Sequence, residues 1–325
     1  MKRQIKARPE SWTLNSVFNI SRGAKRVADV VVVEIREGES IGFGECVPYP
    51  RYGESQDQVI ETILAQSQKL EEGISREELQ HLLPAGAARN AIDCALWQIE
   101  AKRNEKSFSE LFGLKQFRPV RTAQTVSLDS PEKMGAAAKQ LGKGLLKVKL
   151  GPTDICESVR AVRHGAPHAT LILDANEAWT MEQLDETMPV LVEANVKLVE
   201  QPIPQGADGE LADYDSPIPI CADESCHTSD TIKKVSKLYD AINIKLDKTG
   251  GLTEALKLRK EAEALGMEVM LGCMICTSLS ILPIFALSEG IEFIDIDGPL
   301  WLKKDRPGGC EFDGVRMNPP THLLV

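Results

Sequence analysis

Charged residues recur at a nearly constant interval through the chain, each at or near the end of an apolar segment. Lys149, Asp174, Glu200, Asp223 and Lys245 follow one another at intervals of 22 to 26 residues. Such an interval is typical of one β-strand followed by one α-helix. In a barrel of parallel strands, the carboxyl ends of successive strands meet at one mouth. The spacing therefore predicts three carboxylates and two lysines around one point.

From about residue 120 onward, predicted strands alternate with predicted helices. This alternation indicates a parallel sheet, and eight strands favour a closed (β/α) barrel of the TIM type in which the last helix is missing or replaced by the tail. An open doubly wound sheet is the alternative, although it would normally carry a Gly-rich phosphate loop that this sequence lacks. The predicted strands are 122–127, 145–150, 170–174, 197–200, 218–222, 241–246, 268–272 and 292–296, and the helices between them include 131–141, 154–164, 180–194 and 253–265.

The first third of the chain has a different pattern, which predicts an α+β module of about 115 residues. Three segments with strand character are separated by glycine-containing turns, and helical segments with small and apolar residues follow. The predicted strands are 12–20, 28–35 and 40–45, and the predicted helices are 56–72, 76–82 and 85–102, with 107–113 left open.

Composition restricts the class of protein. The formal charge of −10 and the pI near 5.2 argue against a nucleic-acid-binding protein, which usually has a basic face. The basic residues at the start are not followed by the apolar stretch of a signal peptide, and no apolar run is long enough to span a bilayer. We therefore expect a soluble, cytoplasmic protein with no membrane partner.

Eight cysteines are distributed along the chain. Because most of them lie in apolar segments, we expect reduced thiols in the core rather than disulfides. Cys273-Met-Ile-Cys276 suggests a redox or zinc site, but a structural zinc site needs four ligands and the chain has no second CxxC pair.

The three acidic residues can be interpreted in two ways. Each could cap the helix that follows its strand, since the amino end of a helix favours negative charge. Three carboxylates at one barrel mouth would instead repel each other unless a cation neutralised them, and hard oxygen ligands suit Mg²⁺. Their recurrence in successive units, between two lysines, favours one Mg²⁺ per subunit held by Asp174, Glu200 and Asp223.

Lys147 and Lys149 are two residues apart on one predicted strand, so their side chains lie on the same face. The flanking apolar residues indicate a buried strand, and both burial and neighbouring positive charge would lower the pKa of a lysine towards that of a general base. Lys245 lies on a strand well round the barrel. Two lysines that face one carbon atom from opposite sides can remove a proton and return it from the far side, which inverts a stereocentre. Lys248 is interpreted as a turn residue before Thr249-Gly250-Gly251.

At these residues the sequence resembles the enolase superfamily, within its muconate-lactonising-type subgroup. The motifs that carry the resemblance are Lys147-x-Lys149, Asp174-Ala-Asn176, Glu200-Gln-Pro202, Ala222-Asp223-Glu224-Ser225 and Lys245-x-Asp247-Lys-Thr-Gly-Gly251. The resemblance implies a barrel with a capping domain, Mg²⁺ on the three acidic residues, and Lys149 and Lys245 as the acid/base pair. Lys147 would hold the substrate carboxylate and tune Lys149. We predict a capping domain at 1–117, a barrel at 118–310 and a tail at 311–325 that packs back on the capping domain.

Asp295-Ile-Asp297 on the last predicted strand narrows the substrate class. The two carboxylates could be a buried ion-pair partner and a turn residue, or they could together bind an ammonium group. The second arrangement resembles that of dipeptide epimerases, where it holds the free amino group of the first residue. The same resemblance implies that Thr125, Cys273 and Met274 contact the substrate, and places a cation for an acidic second residue in the loop that contains Arg22, Lys25 and Arg26.

The implied function is a dipeptide epimerase that inverts the α-carbon of the C-terminal residue, with L-Ala-D/L-Glu from cell-wall peptide turnover as the substrate. Another activity of the subgroup, an N-acylamino-acid racemase or a cycloisomerase, is the nearer alternative. A non-catalytic ligand-binding barrel is the more distant one, since binding alone does not need two lysines on opposite sides of a metal. The sequence is compatible with a homo-oligomer.

Overall fold

A three-stranded antiparallel sheet begins the chain in the computed structural model, which describes residues 2–20, 23–321 and 323–325. Its strands are β1 (Arg3–Ile20), β2 (Gly23–Glu37) and β3 (Ser40–Cys46), paired in the order β1-β2-β3. All three predicted strands are therefore confirmed, and β1 starts earlier than its apolar pattern indicated because it pairs with β2 from Arg3 onward.

The valine run at 30–33 in β2 shows how this sheet is buried. All four side chains are fully buried, yet alternate residues of a strand face opposite sides. Val31 and Val33 pack among apolar residues of the N-terminal helices, whereas Val30 and Val32 belong to the core that includes the barrel. A continuous apolar run is thus the pattern of a strand covered on both faces.

Helices pack on the outer face of the sheet: α1 (Gln56–Ala65), α2 (Ser67–Glu71), α3 (Arg76–Leu82) and α4 (Ala87–Arg103). The prediction of a single helix at 56–72 is wrong, since the structure has two helices that are divided at Gln66. There the Ser67 hydroxyl donates to the Leu64 carbonyl, and such side-chain hydrogen bonds compete with the backbone hydrogen bonds of a helix. Gly44 lets α4 approach β3 closely, because a Cβ at this position would lie 1.9 Å from the Ala91 carbonyl oxygen.

Eight parallel strands form the barrel, and their number and order confirm the prediction. The first and last strands lie side by side, where the Ile296 amide donates to the Thr122 hydroxyl at 2.9 Å. The strands are β5 (Ala123–Val126), β6 (Leu145–Lys149), β7 (Thr170–Asp174), β8 (Val196–Glu200), β9 (Ile220–Ala222), β10 (Ala241–Ile244), β11 (Glu268–Gly272) and β12 (Phe293–Asp295).

The helices outside the barrel are α5 (Pro131–Leu141), α6 (Ile155–Gly165), α7 (Met181–Glu193), α8 (Ile232–Val235), α9 (Leu246–Thr249), α10 (Leu252–Ala264) and α11 (Ser278–Ile281). After β12 the described residues form a 3-10 turn at Gly298–Trp301 and no further α-helix, so the last unit is modified as expected. Three short strands, β4 (Val120–Arg121), β13 (Glu311–Phe312) and β14 (Arg316–Asn318), make a separate antiparallel sheet in which the tail pairs with the start of the barrel. Among the residues that the structure describes, no helix combines the length and apolar character needed to cross a membrane.

Buried polar contacts hold the N-terminal domain against the carboxyl ends of the barrel strands. Asp247 accepts hydrogen bonds from the Val47 amide at 2.9 Å and from the Asn90 side chain at 2.8 Å. Glu45 accepts from the Thr277 amide at 2.8 Å and pairs with Arg306 at 2.9 Å. The domain is therefore placed over the mouth where the predicted charged residues converge.

Candidate active site

Two successive layers of inward-facing residues show why the site lies where it does. The lower layer takes one apolar residue from each barrel strand: Ala123, Leu145, Ile172, Leu198, Cys221, Ala241, Met270 and Phe293. Because side chains alternate along a strand, the next inward layer lies two residues further on. Its members are Thr125, Lys147, Asp174, Glu200, Asp223, Asn243, Gly272 and Asp295. The barrel interior thus changes from apolar to polar within one step towards the mouth.

Lys147 lies at the centre of the polar layer. Its ammonium group is 3.0 Å from Asp174, 2.7 Å from Glu200 and 2.8 Å from Asp295. Burial acts to lower the pKa of Lys147, but the surrounding carboxylates outweigh it and raise the pKa well above its usual range. The expectation that burial and a neighbouring lysine would lower the pKa is therefore wrong for Lys147, because the charges of Asp295, Glu200 and Asp174 outweigh the effect of burial.

Lys149 and Lys245 approach the cavity from different strands. The Lys149 ammonium is 2.5 Å from Asp174 and 3.2 Å from the Asn176 side-chain oxygen. The Lys245 ammonium is 2.6 Å from Asp223. β6, which carries Lys149, and β10, which Lys245 directly follows, are four strands apart in a barrel of eight. The two lysines therefore lie on opposite sides of the mouth, as predicted.

The pKa of Lys245 differs from the sequence expectation in the same way as that of Lys147. Burial acts to lower the pKa of Lys245, but the charge of Asp223 outweighs it and raises the pKa well above its usual range. Gly272 makes room for this lysine, since a Cβ there would lie 2.8 Å from the Lys245 Cε. Lys245 is thus held as an ammonium by the acid that the sequence predicts to bind a metal.

Lysine ammonium groups lie between the three acids Asp174, Glu200 and Asp223. Glu200 and Asp174 are both fully buried, and burial together with the charge of Asp174 raises the pKa of Glu200. Burial would also raise the pKa of Asp174 and of Asp223, but nearby lysines, led by Lys149 for Asp174 and by Lys245 for Asp223, lower both. Three carboxylates in one buried layer can stay charged only with compensating cations.

Two carboxylate oxygens of this layer could face a divalent metal ion. Glu200 Oε2 is buried, has no hydrogen-bond partner among the described residues and lies 2.7 Å from the Lys147 ammonium. Asp223 Oδ1 lies 2.6 Å from Lys248, so Asp223 Oδ2, beside Lys245, is the oxygen that remains for a metal. The described part of the chain contains no group of three or more His, Cys, Asp or Glu side chains already arranged to hold a metal. The acids are not arranged around a metal here because the ammonium groups of Lys147 and Lys245 lie between them. Hard carboxylate oxygens still fit Mg²⁺, provided that the lysines turn towards a substrate.

Lys248 is not the turn residue that the sequence suggested. It lies in α9 with 1% of its surface exposed, and its ammonium is 2.6 Å from Asp223 Oδ1. It also donates to the backbone carbonyls of Asp223, Cys226 and Asn243. The nearby Gly-Gly pair suggests a turn, but the ion pair with Asp223 holds the Lys248 side chain in the protein interior.

Asp295 and Asp297 both line the cavity at the end of β12. Asp295 pairs with Lys147, and its Oδ1 has no hydrogen-bond partner among the described residues. Asp297 accepts from the Thr125 amide at 2.9 Å and from the Trp301 indole at 3.2 Å. Burial and the charge of Asp295 raise the pKa of Asp297 to about 6. A cation that entered between the two acids would relieve this repulsion.

The N-terminal domain closes the cavity from above with Phe18, Ile20, Lys25, Tyr49 and Tyr52. Lys25 places its ammonium 5.0 Å from the centre of the Tyr49 ring, within the range of a cation–π contact. The predicted Arg22 lies outside the described residues, and Arg26 is exposed and not part of the cavity wall.

Barrel residues complete the wall. Cys273 and Met274 line the cavity, which encloses about 670 Å³ of empty space together with its opening. Each of the eight cysteines is described and is a free thiol, and five of them are buried. Apart from Arg22, which lies outside the described residues, the predicted site residues therefore line this cavity or, in the case of Asp174 and Glu200, lie directly behind its wall in contact with Lys147.

Several residues of the site were missed by sequence reasoning. Phe18 and Ile20 end an amphipathic strand, where an apolar residue gives no functional signal. Asn176 is paired with Lys149, and only its position two residues after Asp174 could have indicated this. Gln201 belongs to the motif Glu200-Gln-Pro202, but its uncharged side chain gives no indication of the contacts that it makes in the fold.

Comparison with known proteins agrees with this geometry. Residues 2–113 match the model of the mandelate racemase / muconate lactonizing enzyme N-terminal domain, and residues 131–322 match that of the enolase C-terminal domain-like family. The chain is 48% identical over 313 residues to the L-Ala-D/L-Glu epimerase of Escherichia coli (strain K12), with 95% of this chain and 98% of the relative covered. It is 40% identical to the N-acetyl-D-glutamate racemase of a Pseudoalteromonas species, with 91% and 94% covered.

Solved structures show the same fold. An enolase family member from Agrobacterium tumefaciens, described as homologous to dipeptide epimerases and holding sodium and L-Ala-L-Glu, superposes with a TM-score of 0.95 at 45% identity, and 98% of each chain is covered. A dipeptide epimerase from Cytophaga hutchinsonii, complexed with Mg and D-Ala-L-Val, superposes with a TM-score of 0.91 at 28% identity, with 99% of this chain and 95% of that chain covered.

Proposed function

The chain belongs to the mandelate racemase / muconate lactonizing enzyme family of the enolase superfamily, and from this premise we propose that it is a Mg²⁺-dependent dipeptide epimerase. The observation that carries the proposal is the placement of Lys149 and Lys245 on opposite sides of one buried mouth. A carbon atom held between them can lose a proton to one lysine and regain a proton from the other. Removal on one face and return on the other inverts the configuration of that carbon.

The metal would be held by Asp174, Glu200 and Asp223. When bound, Mg²⁺ supplies positive charge that stabilises the enolate formed next to the substrate carboxylate. The lysine that accepts the proton must first be neutral. The carboxylate beside it favours the charged ammonium, so another cation has to take over part of that carboxylate's charge. Lys147, whose charge is buried among three acids, would bind the substrate carboxylate once a metal engages those acids.

Asp295 and Asp297 distinguish a dipeptide from an N-acylated amino acid. A dipeptide presents a free ammonium group to the far wall of the cavity, whereas an N-acyl group presents an uncharged amide there. Two buried carboxylates, of which only Asp295 is paired with a lysine, favour the cation. The proposed substrate is therefore a dipeptide, with L-Ala-D/L-Glu from cell-wall peptide turnover as the specific candidate. The relative that racemises N-acetyl-D-glutamate makes that activity the second candidate.

Exchange of Asp297 for asparagine tests the choice between these substrates. We expect Asp297→Asn to lower kcat/KM for L-Ala-L-Glu by about 10²-fold, because a buried charged partner of the ammonium is lost. Turnover of N-acetyl-L-glutamate, which lacks the ammonium, should change little and serves as the internal control. A wild-type protein that prefers N-acetyl-L-glutamate, or a variant that loses both activities equally, would contradict the dipeptide assignment.

Lys25 is the lysine of the N-terminal domain that lines the cavity in the described part of the chain. With its ammonium over Tyr49 at the cavity wall, it can pair with a side-chain carboxylate, although without the two-pronged geometry of arginine. We expect Lys25→Met to lower kcat/KM for L-Ala-L-Glu by up to about fivefold while leaving L-Ala-L-Leu unchanged, since a partly exposed ion pair contributes modestly. Lys6→Met, on the exposed side of β1, is the matched control. Equal effects on both dipeptides would remove Lys25 from the specificity contacts.

A further inference from the structure

The side chain of Gln201 joins the ends of two strands that carry the proposed metal ligands. It is fully buried and follows Glu200, the last residue of β8. Its Oε1 accepts hydrogen bonds from the backbone amides of Asp223 at 2.8 Å and Ser225 at 3.0 Å. Because backbone amides can only donate, the orientation of this side-chain amide is determined without ambiguity.

The nitrogen of the Gln201 side-chain amide is also hydrogen-bonded. This atom, Nε2, has two hydrogens and lies within hydrogen-bond distance of three acceptors, the Ile203 carbonyl at 2.8 Å and the Ser225 and Tyr239 hydroxyls at 2.9 Å each. Both hydroxyls donate in turn to one oxygen of the buried Asp208. The amide is therefore held from both ends, and it cannot rotate without breaking several buried hydrogen bonds.

The backbone of Gln201 is also unusual. Its φ is +37°, in the left-handed region that a non-glycine residue seldom occupies. Such a conformation persists only where the surroundings enforce it, and it occurs mainly at functional sites. Here it turns the side chain back from β8 towards the segment 223–225. The left-handed backbone of Gln201 and its hydrogen bonds thus both link the end of β8, at Glu200, to the segment that begins at Asp223.

Two further contacts hold the same pair of acids. Asn243 donates to Glu200 Oε1 at 2.8 Å, and Lys248 fixes Asp223 Oδ1 at 2.6 Å. Each acid therefore has one oxygen engaged by Asn243 or Lys248 and the other paired with Lys147 or Lys245. This arrangement offers a metal one oxygen per carboxylate in a rigid frame.

We propose that Gln201 is a positioning residue whose amide fixes the spacing of Glu200 and Asp223 and thereby makes the site prefer Mg²⁺ to Ca²⁺. This inference rests on the proposed Mg²⁺-dependent function. Mg²⁺ requires near-ideal octahedral geometry with short bonds, whereas Ca²⁺ accepts longer bonds and irregular sets of six to eight oxygens. A rigid frame of single oxygens favours the smaller ion, and a loosened frame would lose that advantage.

The test is a comparison of metal affinities without substrate. Binding of MgCl₂ and of CaCl₂ to metal-free protein is measured by isothermal titration calorimetry for wild type, Gln201→Met and Gln201→Glu. In both variants the ratio of the Ca²⁺ to the Mg²⁺ dissociation constant should fall by about threefold or more. This change is smaller than the roughly 10- to 100-fold loss of affinity that follows removal of a residue behind a metal ligand, because both ions lose part of their affinity. Gln201→Glu keeps the shape of the side chain, and its added charge acts on both divalent ions alike.

Gln56→Met is the matched control, because the Gln56 amide donates to the Glu10 and Val30 carbonyls in the N-terminal domain, away from the metal ligands. It should lower thermal stability but leave the metal ratio unchanged. If Gln201→Met fails to fold, Gln201→Glu carries the test. A ratio that changes by less than about threefold in the folded Gln201 variants, as in Gln56→Met, overturns the proposal. Wild-type protein that binds Mg²⁺ but epimerises no dipeptide would contradict the proposed function and leave this comparison intact.

Discussion

Alanine at Lys149 or at Lys245 is expected to abolish epimerisation, with a loss in kcat of about 10³- to 10⁴-fold, because each lysine serves one face of the α-carbon. The two single variants should differ in which epimer still exchanges its α-proton. With one lysine left, the epimer that presents its proton to that lysine can exchange with solvent, but the opposite epimer cannot form. Proton NMR in D₂O, started separately from L-Ala-L-Glu and L-Ala-D-Glu, measures exchange and epimerisation together.

Lys139→Ala, an exposed lysine on α5, is the control and should keep wild-type turnover. Either active-site variant could lose activity through misfolding, so its circular dichroism spectrum and melting temperature are compared with those of the wild type. A folded Lys149→Ala or Lys245→Ala protein that epimerises within about tenfold of wild type would refute the two-lysine assignment.

The second large effect is expected at Glu200. Glu200→Gln should lower kcat by about 10²- to 10³-fold, since the amide weakens charge stabilisation at the reacting centre. Mg²⁺ affinity, measured by calorimetry, should also fall by about ten- to a hundredfold or more. Chelation of wild-type protein with EDTA should abolish turnover, and added Mg²⁺ should restore it.

Glu193→Gln, an exposed acid at the end of α7, controls for the loss of one negative charge. It should leave both metal affinity and turnover unchanged. A Glu200→Gln protein with normal Mg²⁺ affinity would exclude Glu200 as a ligand, and EDTA-resistant turnover would exclude a metal requirement.

The barrel and the converging charges could be predicted because their signals are periodic. Strand, helix and terminal charge repeat at one interval, and parallel strands leave only one place for their carboxyl ends to meet. Asp174, Glu200 and Asp223 follow from this argument even though they are far apart in the chain. The position of Lys245 opposite Lys149 follows from counting strands.

The errors share a different physical origin. The local sequence predicts a turn at Lys248 because it shows the Gly-Gly pair but not the buried oxygen of Asp223 that lies beside the ammonium. It predicts a lowered pKa for Lys147 because it shows the adjacent lysine but not the distances to three carboxylates. The motif Glu200-Gln-Pro202 does not reveal the role of Gln201, because that role depends on hydrogen bonds to a segment 22 to 24 residues away. Such contacts depend on tertiary geometry that periodicity does not encode.

The structure also refines the proposed reaction cycle. Lys147 and Lys245 lie among the acids that would bind Mg²⁺, so metal and substrate binding must be linked to movement of these ammonium groups. Tyr49 and Tyr52 of the N-terminal domain line the cavity, so this domain would cover a substrate bound there. Enclosure excludes water, which strengthens the electrostatic contacts on which proton transfer depends.

Exchange of the α-proton in wild-type protein tests the central claim most directly. The protein is incubated with L-Ala-L-Glu and MgCl₂ in D₂O, and the glutamate α-proton is followed by NMR. The account predicts loss of this proton signal together with formation of L-Ala-D-Glu that carries deuterium at the α-carbon. Full retention of the α-proton in L-Ala-L-Glu and across a panel of other dipeptides, with metal present, would contradict it.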